Sequence, residues 1–507
     1  MISEEQYKQA CKVCNELLML PDSTIERVAI PWLHVIREHP IILERYNSLF
    51  SADSIFRKIK KYIVNTGLWY KQLLRSYAWN GKNWFTSGEL PEQVDFLFIS
   101  HLLNRNQINQ KGDFYFGNLP VDLLKEGRAV VIASLVHCKY DYSWFGENYI
   151  NDDLPRIFFS DTMQRDTEIG IHKRVGKESE ILRKLSKNES NTFVKKVMYI
   201  ASEEAMSSAT HSTLRLNYQI KELLEKLRPR AIVSTYEGHA YERVIFATAR
   251  KFDSTIKCIS YQHTGVFKLS NAIRKRLNPE YNPDLILTSG IDGNEELQNS
   301  VELRGIPIKV LGSIRGDIAD SDLVKKHYEK CCLVIPEGFK SECYTLFSFS
   351  LQCALQRPDI KFIWRLHPSI SFNELRNKYS EFNDLPLNIC LSIKSLEEDI
   401  LTSAWVLYRG STAIFKAISQ GLRPIYLKKK DEISIDPLYK MNEWRCCISD
   451  LSDFLDYLNM DIESDFQNQR DNIYMAKRFC ENHFAKIDVE VLNKSLSNRE
   501  VITQNEY

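Results

Sequence analysis

No run of 18 apolar residues occurs in this 507-residue chain, so nothing in it reads as a transmembrane helix. The longest apolar stretch, Ala129 to Val136, has the length of a buried strand. Charge of one sign is missing too: 67 Lys and Arg stand against 66 Asp and Glu, a net of +1. That argues against a protein whose main partner is the nucleic-acid backbone. The first residues, Met1-Ile-Ser-Glu-Glu-Gln6, lack the basic and apolar regions of a signal peptide. Neither G-x-G-x-x-G nor G-x-x-x-x-G-K-[ST] occurs, which weighs against a dehydrogenase and a P-loop ATPase. There is no H-E-x-x-H and no EF-hand loop. One Asp-x-Asp, Asp320-Ser-Asp322, precedes a helical pattern, where helix capping is its expected role. No repeat of fixed short period is visible.

What is present is ordinary globular material, 44% hydrophobic and 26% charged, in a chain long enough for two or three domains. Twelve cysteines include one C-x-x-C, Cys11-Lys-Val-Cys14, in a helical pattern with no second pair nearby, so zinc is not expected there. Most of the others lie in apolar runs and read as buried free thiols. With the missing signal, this points to a reducing, cytoplasmic setting.

Residues 1–90 read as helical and aromatic, with Trp32, Trp69, Trp79 and Trp84. From Val94 short apolar strands alternate with helices, which predicts parallel α/β sheets. Strands are expected at 94–100, 129–135, 231–234, 256–261, 285–288 and 308–311, with 170–230 charged and helical. The loop Gly312-Ser-Ile-Arg-Gly-Asp317 marks the expected boundary between two lobes, 91–315 and 316–465, followed by a helix and tail over 466–507. The second lobe should open with the strand Cys331–Ile335. In doubly wound sheets ligands bind at the carboxyl ends of strands, so the polar residues just after strands carry the interest.

The most informative stretch runs from Trp405 to Leu427: a strand, the loop Arg409-Gly-Ser-Thr412, a helical pattern with Ile414, Ala417 and Ile418 on one face, a stop at Gly421 and Pro424, and a second strand. A loop of this kind offers hydroxyls and N–H groups to phosphate, and Ser411 and Thr412 equally cap the helix. Arg365-Leu-His-Pro368 follows another strand, placing His367 and Arg365 where they can meet a leaving oxygen. Pro336-Glu-Gly338 stands where a nucleotide loop belongs, making Glu337 and Gly338 candidates. In the first lobe, Glu237 directly follows a strand. It can take a proton from a hydroxyl or cap the next helix, and the two readings stand level. Glu242 lies within that helix, where an ion pair is expected. Tyr261-Gln-His-Thr-Gly265 offers Gln262 and His263, or is a turn with satisfied side chains.

In order along the chain, Glu-Gly, His-Pro and Ser-Thr resemble the motifs of bacterial sialyltransferases and Kdo transferases of the GT-B fold. Trp32-Leu-His-Val-Ile-Arg-Glu-His-Pro40, Phe98-Ile-Ser-His-Leu102, Tyr236-Glu-Gly, Tyr261-Gln-His, Arg365-Leu-His-Pro and Tyr408-Arg-Gly-Ser-Thr are similar to a wider group of bacterial surface-carbohydrate biosynthesis glycosyltransferases. The resemblance implies an α/β, GT-B-like fold: two doubly wound Rossmann-type lobes facing a cleft, acceptor side first and nucleotide-sugar side second, plus a helical N-terminal region. It implies an inverting, metal-independent transfer from a CMP-linked nonulosonic acid or Kdo in O-antigen or capsule synthesis. Glu237 becomes the base, with Glu242 as fallback because two acids normally precede the Gly. His367, Arg365, Pro368, Glu337, Gly338, Arg409, Gly410, Ser411 and Thr412 hold the nucleotide. Ser100, His101, Gln262 and His263 face the acceptor. No cofactor beyond the donor is implied. The expected partners are a glycan or lipid-linked glycan, with peripheral contact at the inner membrane face, and other polysaccharide-synthesis enzymes. A CDP-glycerol or CDP-ribitol type polyol-phosphate transferase and a non-catalytic GT-B scaffold are the alternatives.

Overall fold

The computed structural model describes residues 3–38, 49, 55–86, 89–109, 111–138, 154–316, 330–367, 370–430, 432–462 and 466–497. The chain forms two compact units. The amino-terminal unit takes Ile2–His263, Leu269–Ile314 and Ala485–Tyr507; the carboxy-terminal unit takes Thr264–Lys268 and Arg315–Phe484.

The amino-terminal unit is built on eight strands: β1 (Trp84–Thr86), β2 (Phe96–Leu102), β3 (Val130–Val136), β4 (Arg156–Phe159), β5 (Ala231–Thr235), β6 (Lys257–Gln262), β7 (Leu285–Thr288) and β8 (Ile308–Val310). Their order is β1-β4-β3-β2-β5-β6-β7-β8. Only β1 is antiparallel, pairing Trp84 with Phe159. The central parallel strands such as β5 and β7 are buried on both faces, which is why they read as continuous apolar runs. Alternation still sorts their side chains. Leu97 and Ile99 of β2 join Leu223, Ile245 and Phe246 on one face. Phe96 and Phe98 join Phe116, Tyr261 and Leu492 on the other.

The helical N-terminal region packs into this unit. Helix Glu4–Leu18 starts at a Ser3/Gln6 capping box and buries Tyr7, Leu17 and Leu18. The Tyr7 hydroxyl donates to the Leu269 carbonyl at 2.8 Å. Cys11 and Cys14 are buried in this helix, and burial pushes the Cys11 thiol up to about 11. All twelve cysteines are free thiols. Trp84–Thr86, placed by sequence in the helical region, is instead the edge strand. Its β-prone residues cover the open side of β4.

The carboxy-terminal unit has six parallel strands: β9 (Cys331–Ile335), β10 (Lys361–Trp364), β11 (Ile389–Leu391), β12 (Trp405–Tyr408), β13 (Arg423–Leu427) and β14 (Cys446–Ile448). Their order, β11-β10-β9-β12-β13-β14, is the 3-2-1-4-5-6 arrangement of the dinucleotide-binding fold. Val334, Trp364 and Leu407 pack on helices Lys340–Gln356 and Leu451–Ile462. Leu333, Val406 and Tyr408 pack on helices Ala413–Ser419 and Phe466–His483.

Two doubly wound parallel α/β units with a helical N-terminal region are thus the fold, as expected. The expected terminal region 466–507 is divided: Phe466–His483 belongs to the carboxy-terminal unit, and residues 485–497 return to the amino-terminal core through Leu492. Asp320 and Asp322 lie outside the described residues. No helix among the described residues is long and apolar enough to cross a membrane.

Candidate functional site

In the amino-terminal unit the winding direction reverses between β2 and β5. The carboxyl ends of strands at such a reversal are where doubly wound sheets bind ligands. There β5 runs into Tyr236-Glu-Gly-His239 and then helix Ala240–Phe252. Gly238 has φ +84°, and a Cβ on it would stand 2.5 Å from the Ala272 Cβ and 2.8 Å from the Ala272 carbonyl carbon. The Gly of the Glu-Gly pair is therefore a requirement of the turn. Glu242 holds the turn from below. Fully buried, it accepts the backbone N–H groups of Glu237 (2.8 Å), Gly238 (2.8 Å) and His239 (3.0 Å). Burial pushes its carboxyl up to about 7, against those N–H bonds and the His239 charge. Glu242 is thus an anchor rather than an exposed base, and neither does it form the ion pair expected of it: its partners are three backbone N–H groups and the Tyr241 hydroxyl. His34 supports the turn from helix Pro31–Glu38, its ring 3.1 Å from the Gly238 carbonyl and 2.8 Å from that of Val28. Burial, with Arg37 and Arg243 close by, keeps that imidazole neutral.

Glu237 is left half-buried, its side chain 33% exposed. His239 Nε2 is 2.9 Å from Glu237 Oε2, and His263 Nε2 is 3.7 Å from Oε1. Burial raises the Glu237 carboxyl, but the His239 hydrogen bond and the imidazole charges outweigh it, and the net shift is downward. For His239, burial favours the neutral ring, and Glu38 (3.8 Å) and Glu237 overcome it, so its pKa rises. The two form an ion pair. Glu38, Glu237 and His239 each offer a ligand atom within 4.8 Å of the others, so they could together hold a metal ion. A protonated His239 between two carboxylates accounts for the same grouping without one.

Behind this pair runs a hydrogen-bonded chain. His101 Nδ1 meets His137 Nε2 at 2.9 Å, and His101 Nε2 meets the Tyr241 hydroxyl at 2.9 Å. That hydroxyl also contacts Thr235 Oγ1 (2.6 Å) and donates to Glu242 Oε1 (3.2 Å). Burial pushes the His101 imidazole down to about 3, so it is neutral. Tyr115 stands edge-on to both His101 and His263.

Two expected acceptor residues do not face outward. Ser100 is fully buried and donates to Asp113 Oδ2 at 2.6 Å. Gln262 is 2% exposed, and neither of its amide atoms is hydrogen-bonded. Both belong to strands whose side chains alternate across a sheet covered on both faces. His101 and His263 do join Glu237. Sequence reading did not single out Glu38, His137 or Tyr115. Only Glu38 carried a signal, through its place in the Trp32–Pro40 motif.

In the carboxy-terminal unit the reversal lies between β9 and β12, so Glu337-Gly338 and Arg409–Thr412 meet at it. Gly410 has no room for a side chain: a Cβ would stand 2.9 Å from Glu337 Cγ. Burial pushes the Glu337 carboxyl up to about 7. The His367 ring lies over Gly338, 3.0 Å from where a Cβ would be. Burial lowers the His367 pKa, leaving a neutral imidazole. Pro368 lies outside the described residues.

The two expected arginines form ion pairs within the unit. Arg409, fully buried, pairs with Glu342, with Glu432 at 2.6 Å, and with the Leu427 carbonyl at 2.8 Å. Arg365 Nη1 is engaged by Asp399 (2.8 Å), the Lys394 carbonyl (2.8 Å) and Ser392 (3.2 Å). The cation at the Ser-Thr loop is Arg315, whose Nη1 is 3.3 Å from Thr412 Oγ1. It comes from the loop that sequence reading treated only as a boundary. Ser411 is just buried, at 9% exposure. Helix Ala413–Ser419 is seven residues long, and its N-cap Thr412 makes no side-chain cap bond, so the expected capping role is not realised.

No family model matches the sequence, and no curated protein matches it. Among solved structures, the chain is similar to the UDP-GlcNAc 2-epimerase of Methanocaldococcus jannaschii (11% identity, TM-score 0.44, covering 79% of this chain and 99% of that one). It is similar to the α,α-trehalose 6-phosphate synthase of Burkholderia multivorans (10%, TM-score 0.45, 80% and 96%). It is also similar to the glycosyltransferase SnogD of Streptomyces nogalater (12%, TM-score 0.40, 80% and 99%). These likenesses assign no residue.

Proposed function

We propose that the protein is an inverting glycosyltransferase that uses a nucleotide-activated sugar. The observation that carries this reading is Glu237: an ionised, part-exposed carboxylate, ringed by imidazoles, at the winding reversal of a doubly wound sheet. Glu237 takes the acceptor hydroxyl's proton as the acceptor oxygen bonds to the anomeric carbon. The bond from that carbon to the donor phosphate oxygen breaks on the opposite side, inverting the centre. Pairing with His239 lowers the basicity of Glu237, and Glu38 stands ready as counter-charge when the proton arrives. His101 and His263 border the acceptor. On the donor side a neutral His367 donates to the leaving phosphate, with Ser411, Thr412 and the Arg315 guanidinium supplying the rest. These groups meet the leaving charge without a divalent ion.

The motif resemblance supports a CMP-linked nonulosonic acid or Kdo as donor and a bacterial surface glycan, free or lipid-linked, as acceptor. Thermal-shift titration with CMP, CDP, UDP and GDP tests the nucleotide: CMP should raise Tm most. Turnover of CMP-sugars in EDTA, with none of CDP-glycerol, tests the donor class and the absence of a metal requirement. A chain that none of the four nucleotides stabilises would sink the reading.

A further inference from the structure

Helix Ile55–Tyr77 carries Arg57, Lys58, Lys60, Lys61, Lys71 and Arg75 and no acidic residue. One side is fixed to the amino-terminal unit. Trp69 stacks on His172 at 4.1 Å, Gln72 donates to Glu168 and to the Asp161 carbonyl, and Lys61 pairs with Glu203 and Glu204. The opposite side is apolar and open. Ile59 is 52% exposed, Ile63 62%, Tyr70 60%, Leu74 69% and Tyr77 62%. At 100° per residue these five fall within about 60° of one another, a single stripe along about 27 Å of helix. Lys60 and Lys71 border the stripe on one side. Arg75 pairs with Asp161, whereas Lys60 and Lys71 have no ion pair among the described residues.

We infer that this face is a membrane-docking surface for anionic lipid. An apolar stripe carrying tyrosines, bordered by lysines on a helix without a carboxylate, is the chemistry that lies flat at a lipid interface. Charge decides between lipid and a second copy of the chain. Two such helices packed on this face would bring Lys60 and Lys71 of each copy together without a carboxylate on the helix to offset them, whereas an anionic surface complements both. The inference is independent of the proposed transfer chemistry: it needs only the helix and its exposure.

The test is co-sedimentation of the full chain with phosphatidylcholine vesicles, with and without phosphatidylglycerol, at low and high salt. Binding is expected only to the vesicles containing phosphatidylglycerol, weakening as salt rises. K60E/K71E should weaken it roughly tenfold or more. I63S/Y70S/L74S should abolish it with Tm unchanged, because all three side chains are exposed. Equal binding to both vesicle types, no binding, or binding indifferent to either variant would overturn the inference. So would a wild-type dimer in sedimentation equilibrium that I63S/Y70S/L74S converts to monomer.

Discussion

Both units reverse their winding at a central strand pair, and both place a Glu-Gly at the reversal, yet they treat charge in opposite ways. Around Glu337 the cation Arg409 is sealed inside, bonded on three sides, and the loops close on Gly410 and Gly338. Around Glu237 the anchoring carboxylate is sealed inside as Glu242, and the second carboxylate is left part-exposed, paired with His239. The same topology therefore yields a buried strut in one place and a part-exposed, ion-paired carboxylate in the other. The difference lies in which member of the local charge set is given the buried position.

That contrast is broken most sharply by exchanging its two ends. Arg409→Ala should cost about 3–5 kcal/mol, because Glu342 and Glu432 would lose their counter-charge, Glu342 in full burial. Glu237→Gln should change stability by no more than about 1 kcal/mol and reduce turnover about 10²–10⁴-fold. Urea melts and initial rates read the two, and an Arg409 variant as stable as wild type would remove the strut. Next, Gly238→Ala should cost about 2–4 kcal/mol through positive φ and the Ala272 contact, and Gln at 237 should not alter that cost. A smaller effect is expected for Arg315→Ala: nucleotide affinity down about tenfold, some 1.4 kcal/mol, by calorimetry with Tm of the free protein unchanged.

The smallest concerns pH. The folded pKa of His239 is raised, so its contribution is complete below the usual imidazole value near 6.5 and fades as pH climbs above it. The folded pKa of Glu237 is lowered, so its contribution is complete above about 4.3 and fades as pH falls. The stability difference between wild type and His239→Gln should be widest between those values, about 1 kcal/mol, and should shrink towards alkaline pH. A difference that grows above pH 7 would contradict the ion pair.

The long buried strands were legible because a strand covered on both faces leaves an unbroken apolar run, as in Cys331–Ile335 and Leu285–Thr288. Short or peripheral strands, such as Ile389–Leu391 and Cys446–Ile448, left too few apolar residues to register. Candidate residues on the loops after strands are read by position, which is local information: Glu237, His263, His367 and Thr412 all follow strands. Orientation is not local. Nothing in the sequence distinguishes Ser100, turned inward to Asp113, from His101 one residue later, or shows that Arg409 is consumed by Glu342 and Glu432 while Arg315, 97 positions before Thr412, reaches the loop.

Residues 485–497 complete the core of the amino-terminal unit through Leu492 although the carboxy-terminal unit is encoded before them. During synthesis the cluster that holds Phe96, Phe116 and Leu119 therefore lacks Leu492 until the later unit has left the ribosome. The order of translation and the order of completion are reversed. The apolar surface so exposed in the interim is one that a chaperone would be well placed to shield.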